Sequence, residues 1–420
     1  MNKKLKILQC APIDIEVSKN LKYAGTERII DALNHAYHEA GHESYVTASG
    51  DSDLGEFGTL IPTVSKSLWA TNHNGVERKM VRSDEAYQKH FNKTLEFALD
   101  NDVDILHYHP GKFLINSEEY KRRIEKIEEK GLPLIATIHE DIIPEKEQLY
   151  AEWRELQKQK RNLHFVCISS SHKNKYEKEA GIRVDDFIYN GLPLEKLPFK
   201  QKKQDYLLWL GRICPEKGVD LAVQTAIKTG KPLIIAGEVH DHYKQFYEEK
   251  VKPWISLTIN DKNREKEEEI KNSILKKINN GEEVLDKGDI FFIGPVNDKQ
   301  KAILYGNASA VLQPNRWEEP FGLVMIESMA TGTPVIGTNT GAIPELVTNG
   351  KTGYVIDPEW INKKDHKLNE DHLVSEIITK LEKIKDIKPG NCRADMEQRF
   401  SKEIMAQNYL KFYNQVLNQK

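Results

Sequence analysis

The stretch RWEEPFGLVMIESMATGTPVIGTNTGAIPELV, which runs from Arg316 to Val347, is the most informative part of the chain. Its apolar residues after Gly322 leave little room for a solvent face, which predicts a buried helix. Glu327 lies in the middle of that helix and needs a partner there. Glu319 lies in the preceding loop, close to helix amides that have no intrahelical acceptors. Two carboxylates beside a positive helix end suit an anionic, hydroxyl-rich ligand, although a core helix with one ion-paired glutamate explains this stretch equally well.

The two glutamates are embedded in a longer block that resembles the signature of retaining glycosyltransferases of family 4, which have the GT-B fold. The pair is written EPFGLVMIE, from Glu319 to Glu327, and is followed by TGTPVIGTNTGAIPELV at 331–347. The spacing of the pair alone is weak support, whereas its place in this block is strong. Other blocks fit the same family along most of the chain. The resemblance implies two Rossmann-like domains facing across a cleft, with the last helix crossing back onto the first domain.

Composition places the chain among ordinary globular proteins. Its 420 residues suffice for roughly two or three domains, and its 61 basic and 64 acidic residues give no electrostatic footprint for nucleic acid. Four cysteines without metal-type spacing are typical of a reduced, cytosolic protein. The N-terminus suits a first strand better than a signal peptide, and no apolar run reaches the ~18 residues of a spanning helix. We therefore expect a cytoplasmic protein, and a peripheral contact with the inner face of the membrane stays open.

Short apolar runs alternate with helical patterns along the chain, which is typical of parallel sheets built from crossover units. The runs fall into two groups and predict two doubly wound α/β domains. We expect residues 1–197, completed by about 401–420, to form an acceptor domain, and residues 198–400 to form a nucleotide-sugar donor domain. The predicted strands are Leu5–Ala11, Ser44–Ala48, Ile105–Tyr108, Leu134–Ile138, Phe165–Ile168, Phe187–Tyr189, Tyr206–Leu210, Leu233–Ala236, Ile290–Ile293, Ala310–Gln313, Val335–Gly337 and Gly353–Ile356.

In the first domain, a glycine and three histidines lie where strands end or helices begin. Gly25 and Thr26 open an amphipathic helix, and bare backbone at a helix start suits a phosphate, although an ordinary helix-start glycine is the simpler interpretation. His139 follows a predicted strand, and the resemblance implies that it lies beside the donor sugar. His107 and His109 are expected to be structural or to face the acceptor.

In the second domain, LLWLGRICPEKG places Arg212 and Lys217 around a turn between a strand and a helix. Two cations at a strand end suit a diphosphate, although two surface cations would be the better interpretation of this segment alone. The block resembles the family's Gly-Arg…Glu-Lys-Gly motif, which implies that both side chains bind the donor diphosphate. Gly218 is expected to permit close packing of the following helix.

The resemblance implies roles for the remaining positions. Glu319 and the helix-start amides would hold sugar hydroxyls, Glu327 would meet the ribose, and the turn around Pro295 would offer backbone atoms to the base. The charged region 243–289 is interpreted as an insertion with a solvated helix and no assigned role. The residues assigned to catalysis are His139, Glu319, Arg212 and Lys217. The residues assigned to the donor are Gly25, Thr26, Arg212, Lys217, Gly237, Pro295, Val296, Glu319, Phe321, Gly322, Leu323 and Glu327.

No dinucleotide fingerprint, P-loop or zinc spacing is present, so no cofactor or metal is expected. The Asp51–Asp53 segment is the one alternative metal site, and we interpret it as loop chemistry. The expected function is transfer of a hexose, with retention, from a UDP- or GDP-sugar to a saccharide, lipid-linked or small-molecule acceptor. The alternatives are another GT-B enzyme, such as an epimerase or phosphorylase, and a non-catalytic subunit that binds nucleotide sugars. The base, sugar, acceptor and oligomeric state stay open.

Overall fold

The computed structural model describes residues 3–18, 25–70, 79–80, 84–110, 118–159, 162–259, 264–362 and 367–418. The chain divides into two compact units, Met1–Leu192 with Lys402–Lys420, and Pro193–Ser401. The sequence places this division near Leu197, a few residues later. Each unit contains one seven-stranded sheet.

The sheet of the first unit is entirely parallel. Its strands are β1 Lys6–Cys10, β2 Glu43–Ser49, β3 Thr59–Val64, β4 Ile105–Tyr108, β5 Leu134–Ile138, β6 Leu163–Cys167 and β7 Asp186–Phe187. They lie in the order β3-β2-β1-β4-β5-β6-β7. The order reverses between β1 and β4, and in such sheets ligands bind outside the carboxyl ends of the strands at the reversal.

The central strands β1, β4, β5 and β6 are almost wholly buried, because helices cover both faces of a parallel sheet. The helices of this part of the chain are α1 Thr26–Glu39, α2 Asp84–Asp100, α3 Glu118–Glu129, α4 Glu147–Gln159 and α5 Ser170–Lys175. A π-helical turn, Tyr176–Ala180, continues α5 and ends at Gly181, which has a φ of 63°. Glycine suits this left-handed stop because it has no Cβ.

The second unit repeats the scheme. Its strands are β8 Leu207–Leu210, β9 Leu233–Ala236, β10 Leu257–Thr258, β11 Ile290–Gly294, β12 Ala310–Gln313, β13 Val335–Thr338 and β14 Gly353–Ile356. They pair in parallel in the order β10-β11-β9-β8-β12-β13-β14, so the reversal lies between β8 and β12. The helices are α6 Val219–Thr229, α7 Lys244–Phe246, α8 Arg264–Asn280, α9 Asp298–Asn307, α10 Leu323–Ala330, α11 Ile343–Leu346, α12 Glu370–Glu382 and α13 Pro389–Arg399.

The last helix, α14 Lys402–Leu417, belongs to the first unit, as the sequence predicted. It packs against α1, and the Tyr413 and Tyr37 hydroxyls lie 2.9 Å apart. Lys402 forms an ion pair of 2.8 Å with Glu39 at the end of α1. Aromatic residues of α14 are buried in the core of this unit, so the end of the chain completes the first sheet's cover.

The two seven-stranded sheets contain two strands that the sequence did not predict, and both are edge strands. β3 contains Pro62, which an edge strand tolerates because one side of its backbone needs no ladder partner. β10 is two exposed residues long, too short to give an apolar run. Two small antiparallel ribbons, Trp69–Ala70 with Lys79–Met80 and Trp360–Asn362 with Lys367–Leu368, lie outside the main sheets.

Helix α8 corrects the interpretation of region 243–289 as solvated. Leu275 and Ile278 are fully buried, and so is the side chain of Lys271. Its charges lie mostly on the other side, which is why the sequence composition conceals the buried face. No helix in the described part of the chain combines the length and apolar character needed to cross a membrane.

Gly237, directly after β9, allows the central strands of the second sheet to approach one another at their carboxyl ends. Its amide donates to the Gly294 carbonyl at 3.0 Å. A Cβ at this position would lie 1.8 Å from the Gly211 carbonyl oxygen, which belongs to the chain just after β8. The position therefore excludes every residue with a side chain unless the two strand ends separate.

We expect Gly237→Ala to lower the melting temperature of the second unit far more than Gly288→Ala does. Gly288 also has a positive φ, but a Cβ there would meet nothing within 4 Å. Gly288→Ala should cost about 1 kcal/mol through backbone strain, and Gly237→Ala about 3 kcal/mol or more through the added overlap. Thermal unfolding of both variants measures the difference, and equal shifts would refute the packing argument.

Candidate functional site

Glu319 follows β12 at the carboxyl edge of the second sheet, and its side chain is held from three sides. Its Oε2 accepts hydrogen bonds from Lys217 Nζ, from Asn315 Nδ2 at 2.9 Å and from Trp317 Nε1 at 3.1 Å. Within the residues that the structure describes, its Oε1 accepts no hydrogen bond. The carboxylate is therefore fixed in orientation while one oxygen can still accept a bond from a ligand hydroxyl.

Two glycines bring the surrounding loops into place. The Ala342 amide donates to the Glu319 carbonyl at 2.8 Å, and a Cβ on Gly341 would lie 2.4 Å from the Glu319 backbone. A Cβ on Gly218 would lie 2.0 Å from the Pro314 carbonyl oxygen. The loops after β8, β12 and β13 thus touch through backbone, and Gly218 permits close approach to the loop after β12, whereas the sequence predicted close packing of the following helix.

Lys217 connects the two functions that the sequence assigned separately. It forms an ion pair with Glu319, and its Nζ lies 4.6 Å from the centroid of the Trp317 ring. The predicted diphosphate cation and the predicted sugar ligand are therefore direct partners. Asn315 and Trp317 were missed by the sequence analysis, and their only signal was their place within a few residues of Glu319.

Arg212, directly after β8, lies beside an aromatic ring from the region that was given no role. Its Cζ is 6.0 Å from the centroid of Tyr243, whose hydroxyl donates to the Glu216 carboxylate at 3.0 Å. Burial raises the pKa of Glu216, but hydrogen bonds to its carboxylate and the Arg212 charge outweigh burial and leave that pKa below its usual range. The Arg212 side chain therefore lies near the ionised carboxylate of Glu216.

Arg316 supports the loops instead of facing a ligand. Its guanidinium binds both carboxylate oxygens of Asp220, at 2.9 and 2.7 Å, and also Glu370 at 2.7 Å. A further bond of 2.6 Å reaches the Pro215 carbonyl. Arg316 thus ties the loop of Glu319 to the turn of Lys217, a bidentate arrangement that arginine makes and lysine cannot.

Gly322, which has a φ of 99°, caps the N-terminus of helix α10. The Phe321 side chain is buried 6.3 Å from the Phe400 ring, so Phe321 offers only its backbone to a ligand, and Leu323 is the first helical residue. Glu327 is 1% exposed and accepts a hydrogen bond of 2.9 Å from the Tyr305 hydroxyl. Its predicted contact with ribose stays a prediction.

The turn after β11 was expected to offer its backbone atoms to the base, and one of these atoms already has a partner in the protein. The Pro295 carbonyl accepts a hydrogen bond of 2.8 Å from Lys271, a buried lysine of α8. That carbonyl therefore already has a partner, and the Val296 side chain is buried beside it. This contact could not be predicted from the sequence, because Lys271 lies in a run of charged residues that is typical of a solvent-exposed helix.

In the first unit, Gly25 is exposed before α1 and a Cβ there would meet nothing within 4 Å. Residues 19–24 of its loop lie outside the described residues. Nearby, burial and the charges of Asp14 and Glu16 raise the pKa of Glu27 to about 7. Acidic neighbours oppose an anion, and the assignment of Gly25 and Thr26 to phosphate binding stays a prediction.

The three strand-end histidines of the first unit lie together. His139 Nε2 and His109 Nδ1 are 3.1 Å apart, and the His107 ring packs against the His109 ring with its centroid 3.9 Å away. Burial, together with His172, lowers the pKa of His139 to about 3. Burial also holds the pKa values of His107 and His109 well below 6.5. The cluster is therefore neutral at physiological pH.

The Asp51–Asp53 segment makes loop contacts. Asp51 accepts from the Ser67 amide at 2.9 Å and from its hydroxyl at 2.9 Å, while Asp53 accepts from the Gly55 amide at 3.0 Å. Among the described residues, no group of three or more histidine, cysteine or acidic side chains is arranged to hold a metal ion.

Comparisons with known proteins agree with this architecture. Residues 195–370 match the family described as Glycosyl transferases group 1. The chain is 29% identical to an uncharacterized 41.2 kDa protein in the cps region of Klebsiella pneumoniae, over 31% of this chain and 34% of that protein. It is 40% identical to D-inositol 3-phosphate glycosyltransferase of Streptomyces avermitilis, over 16% of this chain and 14% of that protein. The chain thus matches about a third or less of these relatives' lengths.

Solved structures match along the whole chain. AviGT4, a glycosyltransferase involved in avilamycin A biosynthesis, has a TM-score of 0.62 at 18% identity over 99% of both chains. Anabaena Alr3699/HepE, solved in complex with UDP and glucose, has a TM-score of 0.62 at 15% identity over 98% of this chain and 99% of that chain. The fold is GT-B, and the comparisons support the glycosyltransferase superfamily.

The buried imidazoles of the first unit predict acid sensitivity. In the unfolded chain a histidine takes up a proton near pH 6.5, whereas burial lowers the folded-state pKa of His90 and His172 to about 4. Below about pH 6.5 the unfolded state therefore binds more protons, so the unfolding free energy falls as pH falls, by at most about 1.4 kcal/mol per pH unit for each such histidine. Glu27, with its raised pKa, acts in the opposite direction.

We expect the stability of the first unit to be flat above about pH 7 and to decline towards pH 5. Urea unfolding at a series of pH values measures the slope. His172→Asn should reduce the slope by about one proton. A first unit that becomes more stable on acidification would contradict this account.

Proposed function

We propose that the protein is a retaining glycosyltransferase of family 4 that transfers a hexose from a UDP- or GDP-sugar to a saccharide, lipid-linked or small-molecule acceptor. The observation that carries the proposal is the Glu319 carboxylate, fixed by Lys217 with one oxygen left for a ligand, beside the start of α10. The match of residues 195–370 to group 1 glycosyltransferases supports the reaction class. A complex of a structural neighbour with UDP-glucose supports the donor class.

In this proposal, the second unit binds the donor. Glu319 Oε1 accepts a hydrogen bond from a hydroxyl of the transferred sugar, and amides at the start of α10 donate to sugar oxygens. Arg212 and Lys217 face the diphosphate, whose negative charge grows as the bond to the anomeric carbon breaks. Preorganised cations stabilise such developing charge, because they need no reorientation during the reaction.

Retention without a covalent enzyme intermediate is part of the proposal. All three donors to Glu319 converge on one oxygen, so this carboxylate is arranged to orient the sugar. Departure of the nucleoside diphosphate and attack of the acceptor would then occur on the same face of the sugar. We propose that no metal takes part, because Arg212 and Lys217 supply the positive charge that a metal ion provides elsewhere.

The test is a transfer assay with purified protein, after a thermal-shift panel of nucleotide sugars has identified a donor. A donor that binds the folded protein raises its melting temperature by mass action. We expect transfer, or slow hydrolysis of the donor, to persist in EDTA. Loss of activity in EDTA that Mg²⁺ or Mn²⁺ restores would refute metal independence, and binding without turnover would favour a non-catalytic subunit.

Substitution of the two cations should weaken nucleoside diphosphate binding. Arg212→Ala removes a charge-assisted contact worth on the order of 1.5–3 kcal/mol, or roughly a tenfold to hundredfold loss of affinity. Lys217→Ala also leaves the Glu319 carboxylate without its ion pair, so we expect Lys217→Ala/Glu319→Gln to fold better than Lys217→Ala at similar affinity. Calorimetry measures the affinities. Lys252→Ala, which removes a surface ion pair with Glu248, is the control, and unchanged affinity in both site variants would overturn the assignment.

We expect substitution of Glu319 and substitution of Glu327 to affect nucleoside diphosphate affinity and turnover differently. We expect Glu319→Gln to lower turnover while nucleoside diphosphate affinity changes little, because its contact is with the sugar. Glu327→Gln should weaken the nucleoside diphosphate itself. Tyr305→Phe is the matched control, because it removes the buried hydrogen bond to Glu327 and leaves the carboxylate in place. If Tyr305→Phe weakens binding as much as Glu327→Gln, the glutamate supports the core and does not meet the ribose.

A further inference from the structure

The histidine cluster of the first unit is a row of three imidazoles in contact. The ring centroids of His107 and His109 are 3.9 Å apart, whereas His109 and His139 meet edge to edge through their ring nitrogens, with centroids 5.4 Å apart. His107 and His109 are buried, whereas His139 is partly exposed at the end of β5. The row of rings thus leads from two buried imidazoles to one partly exposed imidazole.

His107 is held at both ring nitrogens. Its Nε2 lies 2.7 Å from the Thr137 hydroxyl, and its Nδ1 lies 2.7 Å from the Tyr413 hydroxyl of α14. The hydroxyl of Tyr409, also on α14, lies 3.0 Å from the same threonine oxygen. With both nitrogens engaged, His107 offers a fixed face on which the His109 ring packs.

The contact between His109 and His139 requires one donor and one acceptor. The distance of 3.1 Å joins His109 Nδ1 to His139 Nε2. A neutral imidazole carries one N–H and one lone pair, so the position of the proton on one ring dictates its position on the other. Burial keeps both rings neutral, because it lowers their pKa values far below 7.

The second ring nitrogen of His109 decides which of the two histidines donates the hydrogen bond between them. His109 Nε2 is buried and has no hydrogen-bond partner within the described part of the chain. A buried N–H without an acceptor costs about 1–3 kcal/mol, and an unpaired acceptor is tolerated more readily. The proton of His109 therefore belongs on Nδ1, where it donates to His139 Nε2.

We propose that His109 is a positioning residue that fixes His139 as its Nδ1–H tautomer. His139 then presents a hydrogen-bond donor through Nδ1, the nitrogen that makes no hydrogen bond to any other described residue of the protein. The chemical group that fits this donor is an uncharged oxygen acceptor, such as a sugar hydroxyl. The identity of that ligand rests on the proposed function, whereas the tautomer does not.

The tautomer is measured in the free protein by long-range ¹H–¹⁵N spectra of histidine-labelled protein, with His139 assigned from a His139→Gln variant. Protonated and unprotonated imidazole nitrogens differ widely in ¹⁵N shift. In the wild type we expect the proton of His139 on Nδ1. His109→Asn keeps a donor at the position of Nδ1 and should preserve that state, whereas His109→Leu removes the donor and should move the proton towards Nε2.

A proton on Nε2 of His139 in the wild type, or a tautomer that His109→Leu leaves unchanged, overturns the proposal. His90→Gln is the control for the loss of a buried imidazole elsewhere in the unit, and it should leave the His139 signals unaltered. If His109→Leu does not fold, the wild-type and His109→Asn spectra still decide the assignment.

Kinetic measurements test whether the Nδ1–H of His139 contributes to sugar transfer. We expect His109→Leu to lower kcat for transfer about tenfold, with a smaller change in KM, and His109→Asn to restore most of the loss. Equal loss in both variants would show that His109 only supports the fold. If the wild-type protein transfers no sugar at all, the proposed function fails, and the spectra still decide whether His109 fixes the tautomer.

Discussion

The ion pair between Lys217 and Glu319 is the interaction on which the loops of the second sheet depend. Its two partners come from loops after β8 and β12, which lie side by side in the sheet at the reversal of strand order. A largely buried ion pair is favourable only when its geometry is fixed and its remaining hydrogen bonds are made. Asn315 and Trp317 complete those bonds, and Gly218 and Gly341 remove the side chains that would separate the loops. The packing of three loops thus fixes the position of the Glu319 carboxylate.

The two units treat polar groups at their strand ends in opposite ways. The second unit concentrates charge, with Arg212, Glu216, Lys217 and Glu319 near the ends of β8 and β12. The first unit keeps the imidazole cluster around His109 neutral through burial. Charged groups suit an anionic leaving group, whereas neutral imidazoles give directional hydrogen bonds without attracting counter-ions. The difference in charge between the two sets of strand ends therefore depends on burial as much as on residue type.

The predicted strands and the predicted buried helix after Gly322 are confirmed, because continuous apolar runs are a strong signal for parallel sheets. The pairing of Lys217 with Glu319 was not predicted, since the two residues lie far apart in sequence and only the strand order brings their loops together. Lys271 and Tyr243 were missed for a different reason. They lie in a charged segment whose average composition conceals single residues that turn inward. The framework and the residue types of the site could therefore be predicted from the sequence, whereas the pairing of these residues could be seen only in the strand order.

Helix α14 has a consequence for biosynthesis. The first unit needs Tyr409 and Tyr413 to complete the hydrogen bonds of Thr137 and His107, yet these tyrosines are synthesised after the whole of the second unit. On the ribosome, the second unit has all its strands before the first unit has its last helix. The first sheet therefore keeps an uncovered surface until translation reaches residues 402–417, so completion of the first unit is a long-range closure across the length of the second unit.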